Sequence, residues 1–441
     1  MSNGKSVYPD TLAAGDSTRD IVTRSGWYTL LVLTLINSAH YLDRTVISIV
    51  IEPIREEFLL SDGQLGILTG LVYGITFALA GLPLGYLVDR VNRRNLLATL
   101  VIIWSCFTAL GGLAQNFFQL ALSRMGVGAA EAGGSPSSMS IISDTFPLKQ
   151  RSTAMGAFFL SMALGAAMSA LIGSYVATHF GWRAAFFIAG VPGVLFALLL
   201  LFTVKEPRRG AMDPVPAPDA IPTPAPGMGE TLRFLAGQKA LLHLFVAMPL
   251  AVMAVSAISA WIVAFFMRTH AMELPQASVI AGVTFGVFAA GGSLMGGLLS
   301  DRFGGKEARH RVTFAGVIAL LGVPVTVAGV LVGSAPVAIA CWFGMAALSF
   351  ATIPPAFGSL VSLAKPRMRG ITLASIQVVT NLLGYGLAPF LVGIFSDLYG
   401  GPDSLRYALL TVISVSLIWS MVHFFLAARS FDQGVVRASE A

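Results

Sequence analysis

Twelve long runs of mainly apolar residues divide this chain, and each run is about as long as a membrane-crossing helix. An α-helix of about 20 residues, rising about 1.5 Å per residue, crosses the roughly 30 Å hydrocarbon core of a bilayer. The runs cover residues 27–50, 64–88, 95–114, 118–140, 152–177, 183–204, 240–266, 276–299, 312–333, 336–362, 371–397 and 405–428. The sequence therefore predicts an all-α, multi-pass membrane protein with twelve transmembrane helices.

The composition excludes a large soluble protein. Charged residues make up only 11% of the chain and hydrophobic residues 55%, and the mean hydropathy is +0.77. Average soluble domains contain about 25% charged residues, so too few charges are present here to cover a soluble surface. The first apolar run begins at Trp27 and is too long for the core of a signal peptide. We expect that run to be retained as the first helix.

The positions of Lys and Arg predict the orientation of the helices. With the N-terminus in the cytoplasm, 22 of the 28 Lys and Arg residues fall in cytoplasmic segments and four in outer loops. The remaining two, Arg44 and Arg124, lie inside apolar runs. Because Lys and Arg are enriched in cytoplasmic loops, both termini are expected on the cytoplasmic side. This asymmetry also accounts for the net charge of +6 without nucleic acid as a partner.

A stretch rich in Pro and Ala at residues 213–227 lies in the longest connection, between the sixth and seventh apolar runs. This composition favours an extended, semi-rigid linker over a helix. The linker therefore divides the chain into two halves of six predicted helices each. The expected segments are a cytoplasmic tail (1–26), a first six-helix bundle (27–204), a cytoplasmic linker (205–239), a second six-helix bundle (240–428) and a cytoplasmic tail (429–441).

A short motif occurs twice, after the second and the eighth apolar runs. The first copy runs from Gly85 to Arg94 and reads GYLVDRVNRR, and the second runs from Gly297 to Lys306 and reads GLLSDRFGGK. The two copies resemble the signature loop of the major facilitator superfamily. That resemblance implies two pseudo-symmetric six-helix bundles and transport by alternating access. Asn92 departs from the usual Gly of the motif, but Asn tolerates the left-handed backbone that such a turn needs.

The resemblance also implies a gate at the cytoplasmic face. We expect Asp89 to face the start of span eleven near Thr372, because a carboxylate is stabilised by the positive end of a helix dipole. Arg90 or Arg94 is expected to pair with Asp144 at the inner end of span four. The alternative is that these charges only anchor the loops on the cytoplasmic side.

The second copy of the motif is expected to act in the same way. By pseudo-symmetry, Asp301 would face the start of span five near Ser152, and Arg302 would take the place of Arg90. The same alternative of simple anchoring applies to this copy.

Four ionisable residues lie deep in the apolar runs of the first half: Asp43, Arg44, Arg124 and Glu131. A charge at the centre of a bilayer costs at least about 2.5–3.5 kcal/mol, so these side chains should face the protein interior and pair. At about 1.5 Å per residue, Asp43 lies about 12 Å and Arg124 about 9 Å below the outer edge. We therefore expect Asp43 and Arg124 to meet. Glu131 should lie two turns deeper on the face of Arg124, and Arg44 should reach either carboxylate.

These four residues suggest coupling to protons. Burial disfavours the charged form of Glu131 while neighbouring arginines favour it, so the carboxylate can gain and lose a proton as access alternates. We expect Glu131 to be the main proton site, with Asp43 assisting through Arg44. The alternative is a structural ion pair that braces spans one and four.

Other polar residues within the runs are candidates for binding the substrate. Asn37, His40 and Tyr41 share a face of span one with Arg44, and lining of a central cavity is favoured there over bonding between helices. Span eleven carries Gln377, Asn381 and Tyr385 at helical spacing, and the two interpretations are equally open for that stripe. A second set in the other half is apolar and either lines the facing wall of the pathway or only packs in the core and against lipid, and the two interpretations are equally open: Met248, Met253, Phe265 and Met345.

Two further motifs resemble the Spinster family within the same superfamily. Span one contains Tyr41-Leu-Asp43-Arg44, and span four contains Arg124-Met-Gly-Val-Gly-Ala-Ala-Glu131. The resemblance implies export or release of lysolipids such as sphingosine phosphate, and a bacterial member in the inner membrane. Span five lacks the Pro and paired Gly of the superfamily's drug–proton antiporters.

Several alternatives remain open from the sequence. A transporter of a small organic anion or drug is the nearest, and a non-transporting receptor or scaffold is more distant. No catalytic motif indicates an enzyme. Cys106 and Cys341 lie in apolar runs, so neither a disulfide nor a metal site is expected. We expect a monomer without cofactors, whose partners are the bilayer, protons and a small amphipathic substrate.

Overall fold

The computed structural model describes residues 24–212, 228–304, 309–365 and 368–439. Within these ranges the chain is almost entirely helical and contains no β-strand. The predicted tail before residue 24 and the Pro- and Ala-rich stretch 213–227 lie outside the described residues. The C-terminal tail, by contrast, contains a further helix at its described residues, Phe431–Ser439.

We number the helices in chain order and call residues 24–203 the first half and residues 239–429 the second half. The first half contains α1 (Arg24–Ile49), α2 (Ile51–Phe58), α3 (Asp62–Val88), α4 (Arg93–Gly111), α5 (Phe117–Glu131), α6 (Gly134–Thr145), α7 (Leu148–Phe180) and α8 (Trp182–Thr203). Helix α9 (Met228–Ala236) follows in the connection. The second half contains α10 (Lys239–His270), α11 (Leu274–Arg302), α12 (Arg309–Leu331), α13 (Ala335–Leu363), α14 (Arg369–Tyr399) and α15 (Ser404–Arg429), and α16 (Phe431–Ser439) ends the described chain.

Among the described residues, ten helices are long and apolar enough to cross a membrane. They are α3, α4, α7 and α8 of the first half and all six helices α10–α15 of the second half. The predicted first and fourth spans are the two that fall short. Helix α1 has 26 residues but includes polar and charged side chains near its centre. The fourth span is divided into α5, with 15 residues, and α6, with 12. These two segments carry the four deep charges.

The division between α5 and α6 was not predicted from the sequence, which indicated one continuous helix at 118–140. Helix α5 ends at Glu131 and α6 begins at Gly134. Pro136 explains the break, because its ring lacks an N–H and clashes with the carbonyl group four residues earlier, at Ala132. Glu131 is therefore the last residue of a helix that ends inside the bundle.

The halves meet along two pairs of helices, α3 with α14 and α7 with α11. Each of these four helices contains one π-helical segment. These segments are Ile67–Leu71, Ser169–Gly173, Thr284–Ala289 and Thr380–Leu387. Such segments are uncommon in proteins, and many of those known lie at functional sites. In the part of the chain that the structure describes they occur only in the helices between the halves, which marks this interface as a candidate for function.

Helices α3 and α14 approach each other closely because glycines face each other there. A Cβ atom added at Gly74 would lie only 2.7 Å from the Cα atom of Gly386. No side chain larger than hydrogen fits at this contact without moving one helix. The backbone of the first half is thus held directly against that of the second half next to the centre of the molecule.

Candidate functional site

A central cavity lies between the two halves. It encloses about 760 Å³ of free space, including the part open to solvent. The first half contributes Tyr41, Arg44, Thr45, Ser48, Thr69, Tyr73, Arg124, Met162 and Ala166, and the second half Val255, Ser256, Ser259, Ala260, Phe285, Phe350, Tyr385 and Pro389. Both cations on its wall come from the first half, whereas the second half supplies mainly apolar and hydroxyl-bearing side chains.

Of the two interpretations of the apolar residues in the second half, packing in the core is the one that the structure supports. Met248, Met253, Phe265 and Met345 are buried in the packed core of the second half and do not line the cavity. Their positions on the helices turn these side chains toward neighbouring helices, and composition alone does not tell core residues from cavity-lining residues. The wall is formed instead around a satellite apolar cluster that contains Val255, Phe350, Met162 and Phe285.

Asp43 and Arg124 form a buried ion pair between α1 and α5, as their depths predicted. Arg124 Nη1 lies 3.4 Å from Asp43 Oδ1, and both residues are about 1% exposed. The hydroxyl group of Thr108 on α4 donates a hydrogen bond to the other carboxylate oxygen of Asp43. Three helices of the first half therefore meet at one carboxylate, and its charge is compensated by a cation.

Glu131 has different partners. The hydroxyl group of Tyr73 donates a 2.7 Å hydrogen bond to Glu131 Oε2, and His40 Nε2 lies 3.5 Å from the same oxygen. Glu131 Oε1 is buried and has no hydrogen-bond partner among the described residues. Within the described residues no arginine contacts this carboxylate directly, contrary to the expectation that Arg44 would reach it. An unpartnered buried carboxylate oxygen is costly, so this oxygen has room for a further partner.

Arg44 does not reach either carboxylate. Its guanidinium carbon lies 4.2 Å from the ring centre of Tyr385 and 4.8 Å from that of Tyr73. These cation–π contacts hold the cation between a ring of the second half and a ring of the first half. Among the described residues Arg44 has no carboxylate partner, so its charge is available to an anion in the cavity.

The predicted substrate-binding residues of span one separate into two groups. Tyr41 and Arg44 line the cavity. His40 is buried beside Glu131 and packs its ring on Trp104. Asn37 donates a 2.6 Å hydrogen bond to the hydroxyl oxygen of Ser161, so it joins α1 to α7 instead of lining the cavity.

The stripe on span eleven separates in the same way. Only Tyr385 of its three residues lines the cavity. Asn381 is buried, and its amide donates a 2.9 Å hydrogen bond to the carbonyl oxygen of Gln377 within the same helix. The side chain of Gln377 is exposed. The π-helical segment at Thr380–Leu387 explains the separation, because it shifts the regular spacing on which the predicted stripe depended.

At the end of the bundle that carries the repeated motif, which we call the motif end, Asp144 pairs with Arg93. The predicted partners Arg90 and Arg94 were wrong. Arg93 donates to the carboxylate of Asp144 and also to Glu206, at 2.8 Å. The side chain of Asn92 accepts a hydrogen bond from the backbone N–H group of Asn95 and caps the start of α4. This cap directs Arg93, the first residue of α4, inward.

The two arginines predicted for this pairing have other contacts. The Arg90 guanidinium lies 3.4 Å from the ring centre of Tyr86. Arg94 donates a 3.0 Å hydrogen bond to the carbonyl oxygen of Val204. Both interactions remain within the first half and its connection.

The two motif aspartates are exposed. Asp89 ends α3 and has no ion-pair partner among the described residues. Thr372, its predicted neighbour, is buried, and its hydroxyl group bonds within its own helix. Asp301 pairs with Arg311 at 3.1 Å, within the second half, and Arg302 is exposed. The side chain of Ser152, the predicted neighbour of Asp301, lies outside the described residues.

The opposite end of the bundle, which we call the closed end, holds the halves together by charges that sequence reasoning missed. Arg268 of α10 donates 2.8 Å hydrogen bonds to Glu52 and Asp62 of the first half. Asp397 of α14 accepts 2.9 and 2.8 Å hydrogen bonds from the backbone N–H groups of Asp62 and Gly63. Asp397 thereby caps the N-terminus of α3 from the other half. The conformation is thus closed at this end.

A second charged contact at the closed end lies within the first half. Arg183 donates hydrogen bonds of 2.6 and 2.7 Å to the two carboxylate oxygens of Glu57, and the indole of Trp182 donates another. The hydrogen bonds from Arg183 lower the pKa of Glu57, and the one from Trp182 adds to this effect. This contact fixes α2 against α8 without linking the two halves.

We predict that Arg268→Gln shifts the protein away from the conformation closed at this end, because Glu52 and Asp62 lose the cation of the second half and keep only Arg55 of their own half. The matched control is Arg183→Gln, which removes a pair at the same end but within one half. Both native cysteines would be replaced, and spin labels placed on the exposed residues Glu56 and Leu398 would report the distance between halves. Arg268→Gln should lengthen the mean distance and Arg183→Gln should not. Equal distances in the two variants would contradict the interpretation of these contacts as a lock.

Comparisons with known proteins agree with the fold. The family model of the Major Facilitator Superfamily matches residues 33–384. An MFS-type efflux pump of Mycolicibacterium smegmatis is 27% identical over 417 residues, which are 94% of this chain and 95% of the pump. The sphingosine-1-phosphate transporter SPNS2 of Xenopus tropicalis is 26% identical over 425 residues, which are 91% of this chain and 81% of that transporter.

A solved structure gives the most detailed comparison. It is the crystal structure of a bacterial homolog of the human lysosomal transporter Spinster in an inward-facing, unoccupied conformation. It superposes with a TM-score of 0.83 at 27% identity, covering 93% of this chain and 98% of the homolog. A closed end opposite the motif end fits that inward-facing conformation. The chain therefore belongs to the major facilitator superfamily, and it is a Spinster-like membrane transporter that works by alternating access.

Proposed function

We propose that this protein moves an anionic amphipathic molecule of the lysolipid class across the membrane, coupled to protons. The observation that carries this proposal is Arg44, a cation on the cavity wall without a carboxylate partner. It faces the apolar side of the same cavity. Among similar proteins, SPNS2 is named for sphingosine-1-phosphate and the mycobacterial relative for efflux. Both names are compatible with a substrate that has a charged head and a lipid tail.

The head group would bind at Arg44. A guanidinium group offers several N–H donors in a planar fork that matches the oxygens of a phosphate. The rings of Tyr73 and Tyr385 limit the positions of the guanidinium group. Tyr41 and Thr45 of the same helix line the cavity beside it and add hydroxyl groups that can contact a polar head.

The tail would lie along the opposite wall. Val255, Phe285 and Phe350 of the second half and Met162 of the first half line this part of the cavity. Burying a methylene group of an acyl chain contributes about 0.8 kcal/mol, so a tail of several carbons adds much to the affinity of a single charge. Methionine and aromatic side chains also adapt to tails of different shapes.

Glu131 is the proposed proton site. It is buried, its Oε1 atom lacks a partner, and no arginine contacts it. Asp43, in contrast, is compensated by Arg124 and bonded to Thr108. We therefore assign the bracing of α1 against α5 to Asp43 and Arg124, and proton binding to Glu131. This replaces the sequence-based expectation that Asp43 assists through Arg44.

We also propose the arrangement in the membrane. Helix α1 and the divided helix α5–α6 would complete the ten apolar helices to twelve spans. The halves would be six-helix bundles, with the connection between them, the motif end and both termini in the cytoplasm. The unequal distribution of Lys and Arg supports this orientation. We further propose a bacterial inner membrane as the location, a monomeric state, and gating by the motif aspartates when the motif end closes.

The second candidate is a transporter of a small organic anion. It is supported by the probable L-galactonate transporter of Escherichia coli, which is 26% identical over 413 residues, 91% of this chain and 89% of that transporter. Arg44 would serve such a substrate equally well. A receptor or scaffold without transport is less well supported, because it has no use for an anion site between two halves that alternate.

We predict that binding needs both the head and the tail of the ligand. The probes are lysophosphatidylglycerol, glycerophosphoglycerol with the same head but no tail, and monoacylglycerol with a tail but no phosphate. Purified protein should bind the first at least about tenfold more tightly than the others, since about 1.4 kcal/mol corresponds to a factor of ten. Arg44→Gln should bind lysophosphatidylglycerol no more tightly than monoacylglycerol. Arg233→Gln, which removes an exposed cation of α9, is the matched control and should retain it.

The same series distinguishes the two candidates. Equal binding of glycerophosphoglycerol and lysophosphatidylglycerol would favour a small organic anion. Failure of all three probes to bind would remove the support for an anionic amphipathic substrate.

We predict that transport depends on a pH gradient and that this dependence requires Glu131. Reconstituted protein should move lysophosphatidylglycerol at a rate that follows an imposed pH gradient. Glu131→Gln keeps the shape of the side chain but cannot bind and release a proton, so its transport rate should be independent of the gradient. Transport by Glu131→Gln that still follows the gradient would show that the proton site lies elsewhere.

A further inference from the structure

Tyr73 touches both the proposed substrate cation and the proposed proton site. It lies on α3, two residues after the end of the π-helical segment Ile67–Leu71, and it is only 3% exposed. Its hydroxyl group donates to Glu131 Oε2 at 2.7 Å. The centre of its ring lies 4.8 Å from the guanidinium carbon of Arg44. Tyr73 could not be predicted from the sequence, because a lone tyrosine in an apolar run has no distinctive pattern.

The other contacts of Arg44 and Glu131 do not join them. Arg44 also lies on the ring of Tyr385, whose hydroxyl group has no hydrogen-bond partner among the described residues. His40 approaches Glu131 but belongs to the buried side of α1, against Trp104. Tyr73 is thus the side chain through which a change at Arg44 reaches Glu131 by direct contact.

The charged and titratable groups around Glu131 define what else acts on it. They are His40, Tyr41, Asp43 and Arg44 from α1, Tyr73 from α3, Arg124 from α5 and Tyr385 from α14. Asp43 and Arg124 compensate each other. Arg44 is the member of this set that is both charged and able to contact a ligand in the cavity.

We propose that Tyr73 is the positioning residue that links anion binding at Arg44 to protonation of Glu131. In the empty cavity its ring holds the guanidinium group, and its hydroxyl group stabilises the charged form of Glu131. An anion at Arg44 neutralises the nearby positive charge and draws the guanidinium group from the ring. The Glu131 carboxylate is then less stable as an anion and takes one proton from water. This inference rests on the proposed function.

The test is calorimetric titration of the whole protein with lysophosphatidylglycerol, in buffers of different ionisation enthalpy, from pH 5 to pH 9. The phosphodiester of this probe keeps its charge over that range, so protons taken up on binding enter the protein. Wild type should take up a proton on binding near neutral pH, and Glu131→Gln should not.

The decisive variants remove one hydroxyl group each from the two rings that hold Arg44. Tyr73→Phe should shift the pH at which proton uptake is half-maximal upward by about one unit or more, because the charged carboxylate loses its donor. Tyr385→Phe keeps its ring contact with Arg44 and removes no donor from Glu131, so whatever its effect on affinity, the pH of half-maximal proton uptake should stay at the wild-type value. Equal profiles in these two variants, with wild-type binding intact, would overturn the role of Tyr73.

The outcomes separate this inference from the function on which it rests. If wild type does not bind the probe, the proposed function fails. If wild type binds with proton uptake that requires Glu131 but Tyr73→Phe does not differ from Tyr385→Phe, only the inference fails. If Tyr73→Phe does not fold, infrared difference spectra of Tyr385→Phe on binding give the answer. A carboxylate band lost on binding must then be accompanied by a shifted tyrosine band, and an unshifted tyrosine band would contradict the proposal.

Discussion

The cost of placing ionisable side chains inside a membrane is the constraint on which the rest of this structure depends. Asp43, Arg44, Arg124 and Glu131 can remain there only if the protein shields them from lipid and supplies partners. The protein does so with an ion pair, one tyrosine ring from each half and a few hydroxyl groups. Because these partners come from several helices, the charges also determine how the helices pack. The helices that carry them are accordingly the least apolar of the proposed spans.

The four charges differ in how completely they are compensated, and this difference suggests a division of roles. Asp43 and Arg124 satisfy each other and tie α1 to α5. Arg44 and Glu131 each lack an opposite charge in contact, and Tyr73 lies between them. Uncompensated groups are expensive, so they are retained where a ligand or a proton can complete them. The second half supplies apolar surface and one ring, Tyr385, which contacts Arg44 from across the cavity.

The sequence predicted those features that depend on helix length, rise and repetition. Apolar runs and the repeated motif indicated the helical fold and the superfamily, and depth along two antiparallel helices was enough to bring Asp43 to Arg124. The prediction of Arg90 or Arg94 as the partner of Asp144 was wrong. Successive residues point about 100° apart on a helix, and the cap at Asn92 decides which arginine faces inward.

Contacts between distant segments could not be predicted from a single sequence. Arg268, Asp62 and Asp397 lie near the ends of three different helices, and only packing of the two halves joins them. One signal was present, since Arg268 is among the few basic residues expected in outer loops and such a residue needs a local reason to be there. Tyr73 gave no comparable signal, because its role depends on the positions of Arg44 and Glu131 around it.

The proposed mechanism requires that substrate and proton share one cycle. The sharpest test is to record lysophosphatidylglycerol movement and internal pH simultaneously in sealed proteoliposomes, without an imposed pH gradient. If the cycle is shared, a gradient of the lipid alone should drive protons across the membrane in proportion to the lipid moved. Lipid movement at the same rate with no change in internal pH would contradict it.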